Sequence, residues 1–370
     1  MNLFDIAGQF STLGNCLDVK PFGNGHINDT YAVTCASEGG VRRYIMQRLN
    51  SRVFPHPTAL MNNFAAVSAY LRSIVKKDGG DADRECLRII PTVNGAAYYV
   101  DKQGEVWRMT QLIENTDAYL IAENRDMFED AGRAFGLFIK RLEGFDASTL
   151  IEVIPDFHNT VKRYENLEKA VAEDKKGRAA GVSDLIDFAR ARKDKTGIIT
   201  GALAKGEIPL RVTHNDTKLN NVLIDVATKK AVCVIDLDTV MPGSMLYDFG
   251  DAIRVGCSTA KEDEPDLDKV HFDKENFVAF TRGFMCGLGD SITDKERELL
   301  PVGAILMTFE CGMRFLTDYL EGDVYFKIAY PEHNLVRCRA QFRLVEELEE
   351  NLPFMHETVQ KVYAELHQKR

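Results

Sequence analysis

The chain has 370 residues, 45% hydrophobic and 28% charged, which is the balance of a globular protein and excludes disordered, collagen-like and disulfide-scaffold classes. A chain of this length predicts about two to three domains. With 46 Lys+Arg against 56 Asp+Glu the net charge is −10, so it lacks the cationic excess that displaces counterions from phosphates, and nucleic acid is excluded as principal partner.

The first third reads as mostly strand. Residues 17–21 lead into Gly23-Asn24-Gly25-His26-Ile27-Asn28-Asp29-Thr30, followed by apolar runs at 31–35 and, past Gly39-Gly40, at 43–49. Strands joined by Gly/Asn/Asp-rich turns signal hairpins. Residues 58–74 are helical, with Leu60, Phe64, Val67 and Leu71 at spacings of three and four. Strands resume at 87–91, 97–101 and 105–113, separated by Asn94-Gly95 and Gln103-Gly104. Residues 1–113 therefore read as a small antiparallel β lobe with one helix.

Beyond Glu114-Asn115-Thr116 the pattern turns helical. Phe128, Ala131, Phe135, Phe138 and Leu142 mark one amphipathic face, and 157–171, 182–191, 299–320 and 334–368 read similarly. One short strand pair interrupts them near 222–235. Residues 114–370 thus form a larger α-rich lobe beyond a hinge, and the fold class is α+β, bilobal. The acidic stretch 261–268 reads as a solvated loop. The eight cysteines never lie within four residues of one another, so they read as buried reduced thiols, not as metal or redox pairs. The first residues show no basic segment followed by an apolar one, and no apolar run approaches the roughly 18 residues of a membrane span. A soluble, cytoplasmic protein with no membrane partner is expected.

The stretch richest in chemistry is Arg211-Val212-Thr213-His214-Asn215-Asp216-Thr217-Lys218-Leu219-Asn220-Asn221. Two apolar runs follow it, joined by Ala227-Thr228-Lys229-Lys230 and ending in Ile235-Asp236-Leu237-Asp238. Folded as a hairpin, Asn221, seven residues before Thr228, comes opposite Asp236, eight after it. Such a cluster supplies hard oxygen ligands for Mg²⁺ with Asp216 as a further carboxylate. Phosphoryl transfer needs those parts, and His-x-Asp-x-x-x-x-Asn followed by a metal-binding Asp is the catalytic-loop pattern of the kinase fold. Asp248-Phe249-Gly250 spells a magnesium motif, but it lies 27 residues past Asn221 against 15 for Asp236. Asp236 is accordingly the metal ligand, while Asp248 caps the next helix and braces the loop. His214 is expected to pack and hydrogen-bond and not to transfer protons.

At these residues the chain resembles the aminoglycoside phosphotransferase/choline kinase superfamily, and within it the kinases of N-acetylhexosamines. The resemblance is carried by Gly25-His26-Ile27-Asn28, Tyr44-Ile45-Met46-Gln47, Phe54-Pro55, the stretch from Arg211 to Asn221 and Asp236-Leu237-Asp238-Thr239-Val240-Met241-Pro242-Gly243-Ser244. It continues through Glu310-Cys311-Gly312-Met313-Arg314-Phe315 and Tyr330-Pro331-Glu332-His333-Asn334-Leu335. It implies a protein-kinase-like fold, ATP and Mg²⁺ as cofactors, and phosphorylation of the anomeric hydroxyl of a small-molecule sugar, N-acetylglucosamine or N-acetylgalactosamine. Carried over, Asp216 resembles the catalytic base and Asn221 and Asp236 the metal ligands. His26, Arg314 and Tyr325 resemble sugar contacts. Read from the residues alone, His26 could be an ordinary loop residue, Arg314 could pair with Asp318 at i+4, and Tyr325 could be core. Asp238 either accepts from a sugar hydroxyl or only braces its loop.

On the nucleotide side, Gln47 stands where protein kinases carry a phosphate-binding lysine, and 58–74 contains no Glu, so both members of the usual Lys–Glu pair are absent. The phosphates are then expected on Arg48, Arg43 or backbone N–H groups of the 23–28 turn, which includes Gly23 and Gly25. Adenine is expected at Gln111, Ile113 and their neighbours up to Asn115, with Trp107 packing nearby. Two rivals remain: a kinase for another hydroxyl (aminoglycoside, choline or a different sugar), and a nucleotide-binding pseudokinase scaffold.

Overall fold

The computed structural model describes residues 2–23, 27–37 and 39–368. Helix α1 (Leu3–Ala7) precedes strands β1 (Asn15–Pro21), β2 (Asp29–Ser37) and β3 (Gly40–Arg48). Helices α2 (Pro57–Lys77) and α3 (Ala82–Glu85), strands β4 (Tyr99–Val100), β5 (Val106–Gln111) and β6 (Thr116–Ala118), and helix α4 (Arg125–Arg141) follow. Then come α5 (Thr160–Glu173), α6 (Ser183–Arg190), α7 (Ile198–Ala204), β7 (Arg211–Thr213), β8 (Val222–Asp225) and β9 (Ala231–Val234). Helices α8 (Met245–Gly256), α9 (Lys274–Leu288), α10 (Asp294–Glu321), α11 (His333–Glu350) and α12 (Leu352–Gln368) end the described chain.

Two compact units result, a β unit of Met1–Ala118, Gly144–Pro155 and Val222–Met241 and a helical unit of Tyr119–Glu143, Asp156–Asn221 and Pro242–Arg370. This differs from a single cut after 113. β6 pairs with β8, Thr116 opposite Asp225 and Ala118 opposite Leu223, so the β8–β9 hairpin belongs with the early chain. The hairpin itself sets Val222 opposite Val234 with an irregularity before Ile224, one step off the symmetrical count.

In the β unit the antiparallel sheet runs β1-β2-β3-β5-β4. Tyr44 and Met46 on β3 and Trp107 and Met109 on β5 share one face, where they meet Ile6, Ala7 and Phe10 in an apolar core. Because side chains alternate along a strand, Gln47 and Arg108, paired in register, fall on the opposite face. There the Arg108 guanidinium lies 4.6 Å from the Phe64 ring of α2. Residues 87–91, expected as a strand, make only a bridge from Ile89 to Thr110. The helical start expected after Glu114 gives way to β6, and α4 begins at Arg125. α1 and α3 are too short to show a helical period.

The helical unit is built on glycine contacts. A Cβ at Gly283 of α9 would sit 1.8 Å from the Glu129 carbonyl of α4, and one at Gly250 of α8 would sit 2.4 Å from the Gly303 carbonyl of α10. Only glycine permits backbones to approach so closely. α10 is long and apolar enough to cross a membrane, contrary to expectation, but 83% of its apolar window is buried inside the protein. The tail expected as one helix breaks at Asn351, whose N–H caps α11 on the Glu347 and Glu349 carbonyls. The acidic stretch is not simply solvated: Glu262 accepts from Arg254 at 2.7 Å and Asp263 from His333 at 3.2 Å. Five of the eight cysteines are buried and all are free; burial pushes the Cys257 and Cys338 thiols well up.

Candidate active site

The loop after β7 carries the catalytic motif. His214 is fully buried, edge-on to Phe135 and Phe138 at 5.7 and 5.9 Å, and its Nδ1 accepts from the Asp216 N–H at 3.3 Å. It packs, as expected. Asn215 adopts a left-handed backbone, φ +64°, a conformation that costs a non-glycine residue about 1–2 kcal/mol unless its surroundings hold it. Those surroundings are polar and buried. The His214 and Asn215 N–H groups donate to the two carboxylate oxygens of Asp248 at 2.9 and 2.7 Å, and the Asn215 carbonyl lies 3.3 Å from His158 Nε2.

Asp248 therefore braces the loop, but it does not cap its helix. Ser244 does that, accepting from the Leu246 N–H at 3.2 Å, and Asp248 sits in the first turn. Burial pushes the Asp248 carboxyl up to about 6, against the opposing pull of His214 and the two N–H donors.

Asp216 projects with its carboxylate partly exposed. Its Oδ1 lies 2.6 Å from Lys218 Nζ, and its Oδ2 accepts from Asn221 Nδ2 at 3.1 Å. That same Nδ2 donates to the Asp216 carbonyl at 2.8 Å, so the Asn221 nitrogen is committed and its Oδ1 is the atom left to meet a cation. Desolvation pulls Lys218 down, but Asp216 and Asp251 outweigh it and hold the ammonium above its usual range. An accessible carboxylate beside a fixed cation and an amide oxygen can receive a hydroxyl proton and tolerate a polyanion.

In the β unit, Asp236 is also left-handed, φ +60°, and Asp238 follows in a 3-10 turn, so the two do not share a strand face. Asp238 is 3% exposed and both its oxygens are taken, one by Arg108, itself 2% exposed, and one by Asn28 Nδ2 at 2.6 Å. Bracing is the role these contacts fit. Arg108 Nε also donates to Gln47 Oε1 at 2.8 Å, and Gln47 Nε2 donates to Thr30 Oγ1 at 3.1 Å. Gln47 must accept on one side and donate on the other. A lysine there could not accept, and would set a second cation beside Arg108.

Arg48 and Arg43, expected near phosphates, are each in an exposed ion pair, with Asp29 and Glu114 respectively. Gly23 is exposed at φ +73°; Gly25 and His26 lie outside the described residues. At the end of β5, Gln111 Oε1 is buried without a hydrogen-bond partner among the described residues, and the Ile113 carbonyl accepts from Thr116 Oγ1 at 2.8 Å. Trp107 packs, its Nε1 donating to Asp101 at 2.9 Å.

On α10, Arg314 does not pair with Asp318, whose oxygens accept the N–H groups of Val324, Tyr325 and Phe326 at 2.8–3.0 Å. Its guanidinium instead lies 5.8 Å from the Tyr325 ring and 5.4 Å from that of Phe157. Tyr325 is 62% exposed and so is not core. Both line a cavity of about 280 Å³ together with Arg163, Asn166 and Lys169. Sequence reasoning missed Arg108, Lys218, His158 and Glu310. Only Lys218, two residues past Asp216, stood where the motif could have shown it.

The chain is thus mixed α+β, with the Asp216 carboxylate presented on a braced loop. The model of the phosphotransferase enzyme family (APH) matches residues 18–283, more than half of the chain. The chain belongs to that family of small-molecule phosphotransferases. An aminoglycoside phosphotransferase from Alicyclobacillus acidocaldarius is similar with a TM-score of 0.58 at 13% identity, covering 100% of this chain and 96% of that one. A choline kinase from Cryptosporidium parvum gives 0.56 at 13% identity over 94% and 93%. An ethanolamine kinase from Plasmodium vivax gives 0.52 at 14% over 88% and 82%. These likenesses are of fold, and they show the expected protein-kinase-like architecture.

Proposed function

We propose that this chain is an N-acetylhexosamine 1-kinase, transferring the γ-phosphoryl group of ATP to the anomeric hydroxyl of N-acetylglucosamine or N-acetylgalactosamine and releasing ADP. The observation that carries the chemistry is the accessible Asp216 carboxylate, held by Lys218 and Asn221 on a braced loop. Asp216 accepts the hydroxyl proton as the sugar oxygen attacks phosphorus, and Lys218 keeps that carboxylate oriented. Asn221 Oδ1 and the Asp236 carboxylate are hard oxygens that suit Mg²⁺. Mg²⁺ takes few protein ligands alongside nucleotide phosphates. When bound, that ion neutralises charge on the transferring group. The unpartnered Gln111 Oε1 is an acceptor suited to an adenine amino group.

The sugar assignment rests on the resemblance and on the charge of the cavity beside Arg314. Arg163, Lys169 and Arg314 line it against two carboxylates, Glu321 and an Asp318 spent on backbone N–H groups, and this cationic excess disfavours the cationic acceptors of a choline or aminoglycoside kinase. ADP release with ATP and Mg²⁺ across N-acetylglucosamine, N-acetylgalactosamine, glucose, galactose, choline and kanamycin tests this. Turnover confined mainly to the two N-acetyl sugars, with a product lacking a reducing end, is the expected result. Turnover on choline or kanamycin instead would overturn the sugar assignment, and silence with retained nucleotide binding would favour the scaffold.

A further inference from the structure

We infer that His158 is a buried imidazolium and a positioning residue, one that holds the catalytic loop by the carbonyl of Asn215. This deepens the kinase reading and rests on it for the loop's purpose, although the ring's proton count stands by itself. His158 Nδ1 lies 2.9 Å from Glu310 Oε1, and Nε2 lies 3.3 Å from the Asn215 carbonyl oxygen. A carboxylate and a backbone carbonyl are acceptors only, and a neutral imidazole has a single N–H. Both bonds exist together only when both ring nitrogens carry protons.

Glu310 cannot supply the missing proton. Burial pushes its carboxyl up, but the His158 ring and the Thr160 hydroxyl, donating at 2.7 Å, outweigh burial and keep it ionised below the usual range. The groups around the ring favour a cation. Glu310 faces it from α10 and Asp248 and Asp251 act on it from α8; of the cations, Arg163 from α5 acts on Glu310, while Lys218 and Arg254 act on Asp251. The Phe157 and Tyr247 rings flank it at 4.4 and 5.3 Å.

The consequence lies one residue further on. Asn215, left-handed and next to Asp216, is held by its N–H on Asp248 and by its C=O on His158. Removing the Nε2 proton would set a lone pair against the carbonyl oxygen, and the peptide joining Asn215 to Asp216 would lose its anchor. Residues 158 and 310 are far from the catalytic motif in the chain, yet they set the aim of its base.

Long-range ¹H–¹⁵N spectra of the full chain test this, with the His158 signals assigned by loss in His158→Gln. Both ring nitrogens are expected to be protonated at neutral pH, with slow amide exchange at Asp216 and Thr217. Glu310→Gln removes the facing charge, so the doubly protonated ring signature should be lost at neutral pH. Loop exchange should quicken in that variant, and kcat should fall while KM stays near its original value. Should Glu310→Gln fail to fold, the ring signals of the unmodified protein decide the proton count by themselves. A singly protonated ring in the unmodified protein at neutral pH would overturn the inference, as would ring deprotonation that leaves loop exchange unchanged. Were the protein inactive on every acceptor, the kinase reading would fail while the spectra still decided this one.

Discussion

Each unit holds one residue with a left-handed backbone next to an expected site residue or at one, and each does so by different means. Asp236 in the β unit is followed by Asp238, whose side chain is locked to Arg108 and Asn28. Asn215 in the helical unit is held by its own backbone atoms, the N–H on Asp248 and the C=O on His158. The first is an ion pair between side chains 130 residues apart, each almost wholly buried. A charge so placed is costly once its partner is gone. The second depends on the charge of Asp248, whose carboxyl burial pushes up to about 6. Strain beside a reactive residue persists only where the surroundings over-determine it, and here a side-chain lock and a backbone clamp reach the same end.

The largest expected effect falls on the chemistry itself. Asp216→Asn should lower turnover by about 10²–10⁴-fold, the usual contribution of a positioned base, with nucleotide affinity retained. A variant keeping most of its ADP release would remove Asp216 from that role.

The side-chain lock breaks next. Arg108→Met should cost about 3–5 kcal/mol in urea denaturation, because it strands the Asp238 carboxylate. Combining it with Asp238→Leu should recover much of that loss, and an unaltered single variant would show that the pair is not buried in solution.

The backbone clamp gives a pH signature. The folded Asp248 carboxyl is raised from 3.8 to about 6, so the native state holds its proton more firmly than the unfolded one. The stability it contributes is full below pH 4 and is lost as pH rises through 6. Its bracing of two N–H donors improves as it ionises, so turnover should rise across the same window in which its contribution to stability falls. Asp248→Asn should abolish both trends and cost about 1–3 kcal/mol, having one acceptor oxygen where two are needed. Parallel melting and kcat profiles from pH 4 to 8 would read them.

The smallest effect belongs to an exposed pair. Arg48 and Asp29 side chains are 44% and 50% exposed, so Arg48→Ala should change stability by about 0.2–1 kcal/mol. A large rise in KM for ATP without loss of stability would instead return Arg48 to the phosphates.

What could be read in advance was local. The catalytic motif spans eight residues, so Asp216 and Asn221 meet across one turn whatever surrounds them. Helices α2 and α4 repeat their apolar faces over four or more turns, and β2 and β3 join through a short Gly-bearing turn. The face of a strand was legible, but not what fills it: the alternation that puts Gln47 opposite the core says nothing of Arg108 beside it. The break at Asn351 was hidden because apolar periodicity runs through it.

By itself, the sequence determined the fold class and the local hairpin-and-loop arrangement that brings Asp216 and Asn221 together, since each depends on residues a few positions apart. Tertiary structure alone decided that Asp238 pairs with Arg108 and Asn28, that Gln47 serves Arg108, that Tyr325 stands at the surface, and that His158 and Glu310, 152 residues apart, meet beside the loop. The physical reason is burial. A polar side chain withdrawn from water must find a partner wherever packing places one, and packing joins segments whose separation in the chain carries no trace of the meeting.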